Sequence, residues 1–111
     1  MNMKNLFNDN TLSIYFNREN YFNGFFRKTF NSNYNSCDWI LVINNIEDLI
    51  LIIKEIEFLI TKEFNHNSFS FIIVIPFPIN KLKILESIII APTLTEALDI
   101  IKIDRIQRDL E

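Results

Sequence analysis

One histidine, His66, and one cysteine, Cys37, are the side chains best suited to nucleophilic or metal chemistry in this chain of 111 residues. Acyl transfer would require Ser68, Ser70 or Cys37 to meet His66, with a carboxylate orienting the ring. Nothing in the spacing asks for that arrangement. A zinc centre needs three or four His, Cys or carboxylate ligands, and one histidine with one cysteine falls short. His66 stands in Asn65-His-Asn-Ser68 just past a predicted helix end, where a cationic ring can meet the last carbonyls. Cys37 precedes a strand in a polar loop and has no basic neighbour close in sequence to lower its pKa, so it reads as an inert thiol. Glu55, Glu57 and Glu63 read as the solvated face of a helix rather than as acid–base groups. The expectation is therefore of no catalytic residue, no metal and no cofactor.

Composition narrows the class further. Apolar residues make up 49 % and charged residues 23 %, so one domain spanning residues 1–111 can build its own core. The net charge is −3 and the pI is near 5.1, which argues against an electrostatic grip on nucleic acid or an anionic membrane. Arg27-Lys28, Lys81/Lys83 and Arg105/Arg108 are scattered pairs rather than a basic stripe, and the 11 phenylalanines read as core rather than as a stacking platform. Met1–Asn10 has no apolar stretch of the signal-peptide kind and is expected as a flexible N-terminus. The apolar region from Trp39 to Ile60 is broken by Asn44, Asn45, Glu47, Asp48, Lys54 and Glu55, which a bilayer would penalise. A cytoplasmic protein is expected.

Periodicity places these residues on elements. Thr11 to Asn17 alternates in the manner of a half-buried strand. Arg18 to Phe30 carries Phe22, Phe25, Phe26 and Phe30 at helical spacing, although Gly24 weakens the pattern. Trp39 to Ile43 and Phe69 to Ile75 are continuous apolar runs of the kind covered on both faces, and Pro76 and Pro78 stop the second. Between them, Ile46 to Glu63 is helical, with Leu49, Ile53, Ile56 and Ile60 on the apolar side. Ser87 to Ile90 is a further short strand before Pro92. The alternation predicts a small α/β domain with about four strands in a mainly parallel sheet.

The last helix has the clearest start. Thr93-Leu-Thr-Glu96 is a capping box, in which the Thr93 hydroxyl accepts from the Glu96 amide and the Glu96 carboxylate reaches back. Leu94, Ala97, Leu98 and Ile101 share one face, while Ile103, Ile106 and Leu110 point to nearly the opposite one. That second strip is a candidate partner or self-association surface. Asp104 with Arg108 and Arg105 with Asp109 are at i,i+4 spacing on the same helix.

The stretch from Ile88 to Leu110 resembles the tail of short STAS-like proteins from Bacteroidetes, which runs from a strand through Pro-Thr-x-x-Glu-Ala-x-Asp to a helix ending in Glu-Arg-(Asp/Glu)-Leu. Pro92, Thr93, Glu96, Ala97, Asp99, Arg108, Asp109 and Leu110 match, and Gln107 departs from the usual glutamate. The resemblance implies the architecture of anti-sigma-factor antagonists, which act by binding regulatory kinases or sigma-type factors rather than by catalysis. In that family a phosphorylatable serine or threonine opens the helix after a central strand. The corresponding junction here, Ile43-Asn-Asn-Ile-Glu-Asp48, has no hydroxyl. Asn44, Asn45, Glu47 and Asp48 therefore mark a degenerate switch position, with fixed negative charge where phosphate would favour a helix N-terminus.

Some of these short proteins are encoded beside ribonuclease Z and carry its label. That nuclease resembles metallo-β-lactamases and needs a His-x-His-x-Asp-His motif, which His66 alone does not make. Two functions follow from the resemblance: a non-enzymatic protein-binding regulatory domain, or an accessory of ribonuclease Z and tRNA processing without nuclease activity of its own.

Overall fold

The computed structural model describes residues 3–64, 69–78 and 88–110. Five strands form one mixed sheet in sequential order: β1 (Lys4–Asn8), β2 (Thr11–Tyr15), β3 (Asp38–Val42), β4 (Phe71–Val74) and β5 (Ile89–Ala91). β2 to β5 are mutually parallel, and β1 pairs antiparallel with β2. The helices are α1 (Phe25–Ser32), α2 (Ile46–Lys62) and α3 (Leu94–Leu110). The small, mainly parallel α/β architecture is as the alternation predicts, with one strand more than the four read from sequence.

The extra strand corrects the expectation of a flexible N-terminus over residues 1–10. Lys4–Asn8 turns back on Thr11–Tyr15 through Asp9 and Asn10, whose φ angles are 51° and 54°. A two-residue hairpin of this left-handed kind matches the twist of the flanking strands, and Asp and Asn tolerate the conformation better than most side chains. Every β1 side chain is exposed, so no apolar run announces it.

Side chains alternate across the sheet and define two cores. Leu12, Ile14, Trp39, Leu41, Phe71 and Ile73 face α1 and α2. Ile40, Ile72, Val74 and Ala91 face Ala97 and Ile101 of α3. On the first face Trp39 stacks on Phe71 at 5.9 Å, and Phe64 meets Phe71 edge-on at 5.1 Å. The expectation that the phenylalanines form core holds for Phe16, Phe26, Phe30, Phe64 and Phe71, whereas Phe7, Phe22 and Phe58 are exposed.

The Arg18–Phe30 segment divides where the sequence weakens. Arg18–Asn20 forms one 3₁₀ turn, and the α-helix starts only after Gly24, which sits at φ +92° and offers no side-chain cap. The cap comes from elsewhere. The Glu55 carboxylate on α2 accepts from the backbone N–H of Gly24 (3.2 Å), Phe26 (2.8 Å) and Arg27 (3.1 Å), and from the Tyr21 hydroxyl. Glu55 is thus not part of a merely solvated face. It supplies negative charge to the free amides of the α1 N-terminus, where the helix dipole favours it.

Candidate functional site

β3 is the middle strand of the sheet, and its C-terminal end leads through Ile43 and Asn44 into α2. The turn is built from local donors and acceptors. Asn45 is in extended conformation, and its side chain accepts from the Asp48 amide at 2.9 Å. An Asn in this role satisfies one of the amides that a helix start leaves free. Glu47 and Asp48 then lie in the first turn, against the positive end of the dipole.

Asp48 is buried at 7 % exposure and is held by Arg18, whose Nε lies 2.9 Å from its carboxylate. Arg18 comes from the 3₁₀ turn after β2, so the pair ties together the chain exits of two adjacent parallel strands. Lys4, Tyr15, Arg18, Asn45, Glu47 and Asp48 line an open groove of about 750 Å³ over those strand ends. Crevices outside the carboxyl ends of parallel strands are where open α/β sheets bind their ligands. Of the four residues expected from the resemblance to mark a degenerate switch, Asn44, Asn45 and Glu47 are exposed, while Asp48 is turned inward to Arg18.

The opposite end of β3 carries a second polar cluster that sequence reasoning missed. Asp38 is fully buried. Its Oδ2 accepts from Arg105 Nε at 2.9 Å, and its two oxygens meet Arg108 at 3.2 and 3.3 Å. The Ser70 amide also donates to it at 2.7 Å, and the Ser70 hydroxyl donates to Asp104 at 2.8 Å. Arg105 Nη2 reaches the carbonyls of Asp9 and Asn10 and the Thr11 hydroxyl. The two arginines therefore have a more buried partner than the i,i+4 neighbours read from the helix. The missed signal is helical phase: Arg105 and Arg108 border the same side of α3 as Ile101.

Thr93 caps α3 as predicted, its hydroxyl accepting from the Glu96 amide at 3.1 Å. Ile103, Ile106 and Leu110 are 55, 61 and 82 % exposed. Cys37 is buried and its thiol pKa is raised, first by desolvation and then by the Asp38 carboxylate, although bonds with Trp39 and Leu12 oppose the shift. That environment suits the inert thiol read from sequence. His66 and Ser68 lie outside the described residues.

Among the described residues, no group of three or more His, Cys, Asp or Glu side chains is placed to hold a metal ion, and no helix is long and apolar enough to cross a membrane. No family model, curated protein or solved structure matches the chain.

Proposed function

We propose that this chain is a protein-binding regulatory domain of STAS-like type that works without catalysis, and that its partner contacts the groove at the C-terminal ends of β2 and β3. The observation that carries the reading is the junction Asn44–Asp48. It opens the helix after the central strand, where the family it resembles places its phosphorylated residue. Here Asn45 caps the helix and Arg18 immobilises Asp48, so the local charge is set by the fold rather than by a kinase. An exposed Glu47 beside them presents a permanent carboxylate at the groove rim. On this reading the domain stands in one fixed electrostatic state, and exchange between partners is governed by the partners.

Affinity capture from the host's lysate with ribonuclease present tests this, comparing the wild-type chain with Glu47→Lys. Loss of a kinase-like or sigma-type protein from the variant, with the fold intact by circular dichroism, is the expected result. Capture of ribonuclease Z or tRNA, indifferent to Glu47, would replace this reading with the processing accessory.

A further inference from the structure

The two faces of the sheet are covered unequally. Five strands at about 4.8 Å spacing make a surface near 19 Å wide, whereas one helix is about 10 Å across. α1 and α2 together cover one face. On the other, α3 packs over β3, β4 and β5, which among the described residues leaves the β1–β2 half open. Strand register places Lys4, Leu6 and Asn8 of β1 beside Tyr15, Ser13 and Thr11 of β2 on that open half. A groove of about 320 Å³ runs there, walled by Leu94, Leu98 and Lys102 of α3, with Leu6 and Leu98 at 50 and 38 % exposure. The vacancy is one helix wide, and it adjoins a helix whose outer surface is apolar at Ile103, Ile106 and Leu110.

We infer that these two surfaces are halves of one interface, and that the chain forms a two-fold dimer in which α3 of each copy fills the open half-layer over β1–β2 of the other. A two-fold axis along the strand direction turns the second sheet over and sets its α3 beside the first, outer strip down onto β1. Such an axis leaves the helix direction unchanged. β1 and α3 run the same way, because β1 is antiparallel to β2 and α3 returns from the end of β5 to the start of β3, where Arg105 meets Asp38. The sequences then match in order. Glu96 and Asp99 at the N-terminal part of the outer face come over Lys4, and Ile103 and Ile106 come over Leu6 and Asn8. Opposite charges meet at one end and apolar groups at Leu6, with the Asn8 amide beyond them, and the contact is made twice by symmetry. Lys4 is held for this by its position over the Tyr15 ring, 5.1 Å from the centroid. This dimer shares Lys4 and Tyr15 with the rim of the Asn45–Asp48 groove, but Leu6 and Ile106, where it is tested, lie outside that lining, so it stands or falls separately from the function proposed above.

Light scattering behind size exclusion, over a range of loading concentrations, reads the oligomeric state. The wild-type chain is expected at twice its 13.2 kDa mass, and both Ile106→Asp and Leu6→Glu at the single mass with unchanged far-ultraviolet dichroism. A monomeric wild type overturns the inference, as does a dimer that survives both substitutions. Disulfide trapping separates this dimer from one built strip to strip. Leu6→Cys and Ile103→Cys chains, mixed and mildly oxidised, are expected to give the mixed covalent dimer. Preferential self-crosslinking of Ile103→Cys overturns the interdigitated arrangement.

Discussion

Arg105 Nε lies 2.9 Å from Asp38 Oδ2, joining the last helix to the first residue of the central strand across 67 positions of sequence. The Asp38 side chain is 1 % exposed and the two arginines 27 and 23 %. The carboxylate is therefore desolvated, and its cost of burial is offset only while its partners remain. Removing one side of such a pair is more damaging than the net worth of the pair. Asp38→Ala takes the buried carboxylate away from two guanidinium groups and the Ser70 amide, and is expected to lower unfolding free energy by about 3 kcal/mol. Arg105→Lys keeps the charge but not the fork that spans Asp38 and the β1–β2 turn, and should cost about 1–2 kcal/mol. Urea midpoints at constant slope report both, and equal costs for the two variants would contradict this account.

Glu55 holds α1 from a distance. Its carboxylate accepts three backbone N–H donors and the Tyr21 hydroxyl, while Gly24 contributes no cap of its own. Glu55→Ala leaves those amides with water as their only alternative and is expected to destabilise the fold by about 2 kcal/mol. The effect should be local before it is global. Amide exchange at Phe26 and Arg27 is expected to accelerate well below the unfolding transition, whereas exchange in β3 should change only with global stability. Protection at Phe26 and Arg27 that survives the substitution would mean that Glu55 is not their acceptor.

Elements whose apolar spacing decides their burial were legible in the chain. The run Trp39–Ile43 overlaps β3 in all but Asp38, the run Phe69–Ile75 contains β4, and the 3.6-residue stripe through Leu49, Ile53 and Ile56 is α2. The Thr93 capping box marks the start of α3 because capping is local chemistry. What escaped were features specified by partners remote in sequence. β1 buries no side chain of its own between Lys4 and Asn8, and its place is set by pairing with β2 and by a two-residue turn. Asp38 and Glu55 look like ordinary carboxylates until residues 67 and 29 positions away are brought to them. The helix start at Ile46 was legible from periodicity, but the hold of Arg18 on Asp48 depends on where β2 ends.

The junction makes a separable pair of predictions. Asn45→Ala removes the acceptor for the Asp48 amide and is expected to cost about 1 kcal/mol, the usual loss for such a cap. Glu47→Lys replaces an exposed first-turn carboxylate and should cost no more than about 0.5–1 kcal/mol, reduced by added salt because the dipole contact is screened. Thermal unfolding at low and high ionic strength distinguishes them: the Asn45 deficit stays and the Glu47 deficit shrinks. Two salt-independent deficits would show that the charge at Glu47 does not act through the helix start.

Alkaline pH should loosen this fold through two named groups. The Tyr21 hydroxyl is pushed up from its ordinary value of 10.0 by burial and by the Glu55 carboxylate to which it donates. Burial and Asp38 push up the Cys37 thiol from 9.0. Both groups hold their protons more tightly when folded, so the unfolded chain ionises first. Their contribution to stability is complete below the unfolded values and declines as pH climbs from those values toward the folded ones. The melting temperature is therefore expected to be level with respect to these two groups through neutral pH, to begin falling past about pH 9, and to fall more steeply past about pH 10. Tyr21→Phe is expected to flatten the steeper limb and Cys37→Ala the earlier one, whatever each does to stability at neutral pH. Superimposable slopes above pH 9 in the wild type and both variants would show that the alkaline transition arises elsewhere.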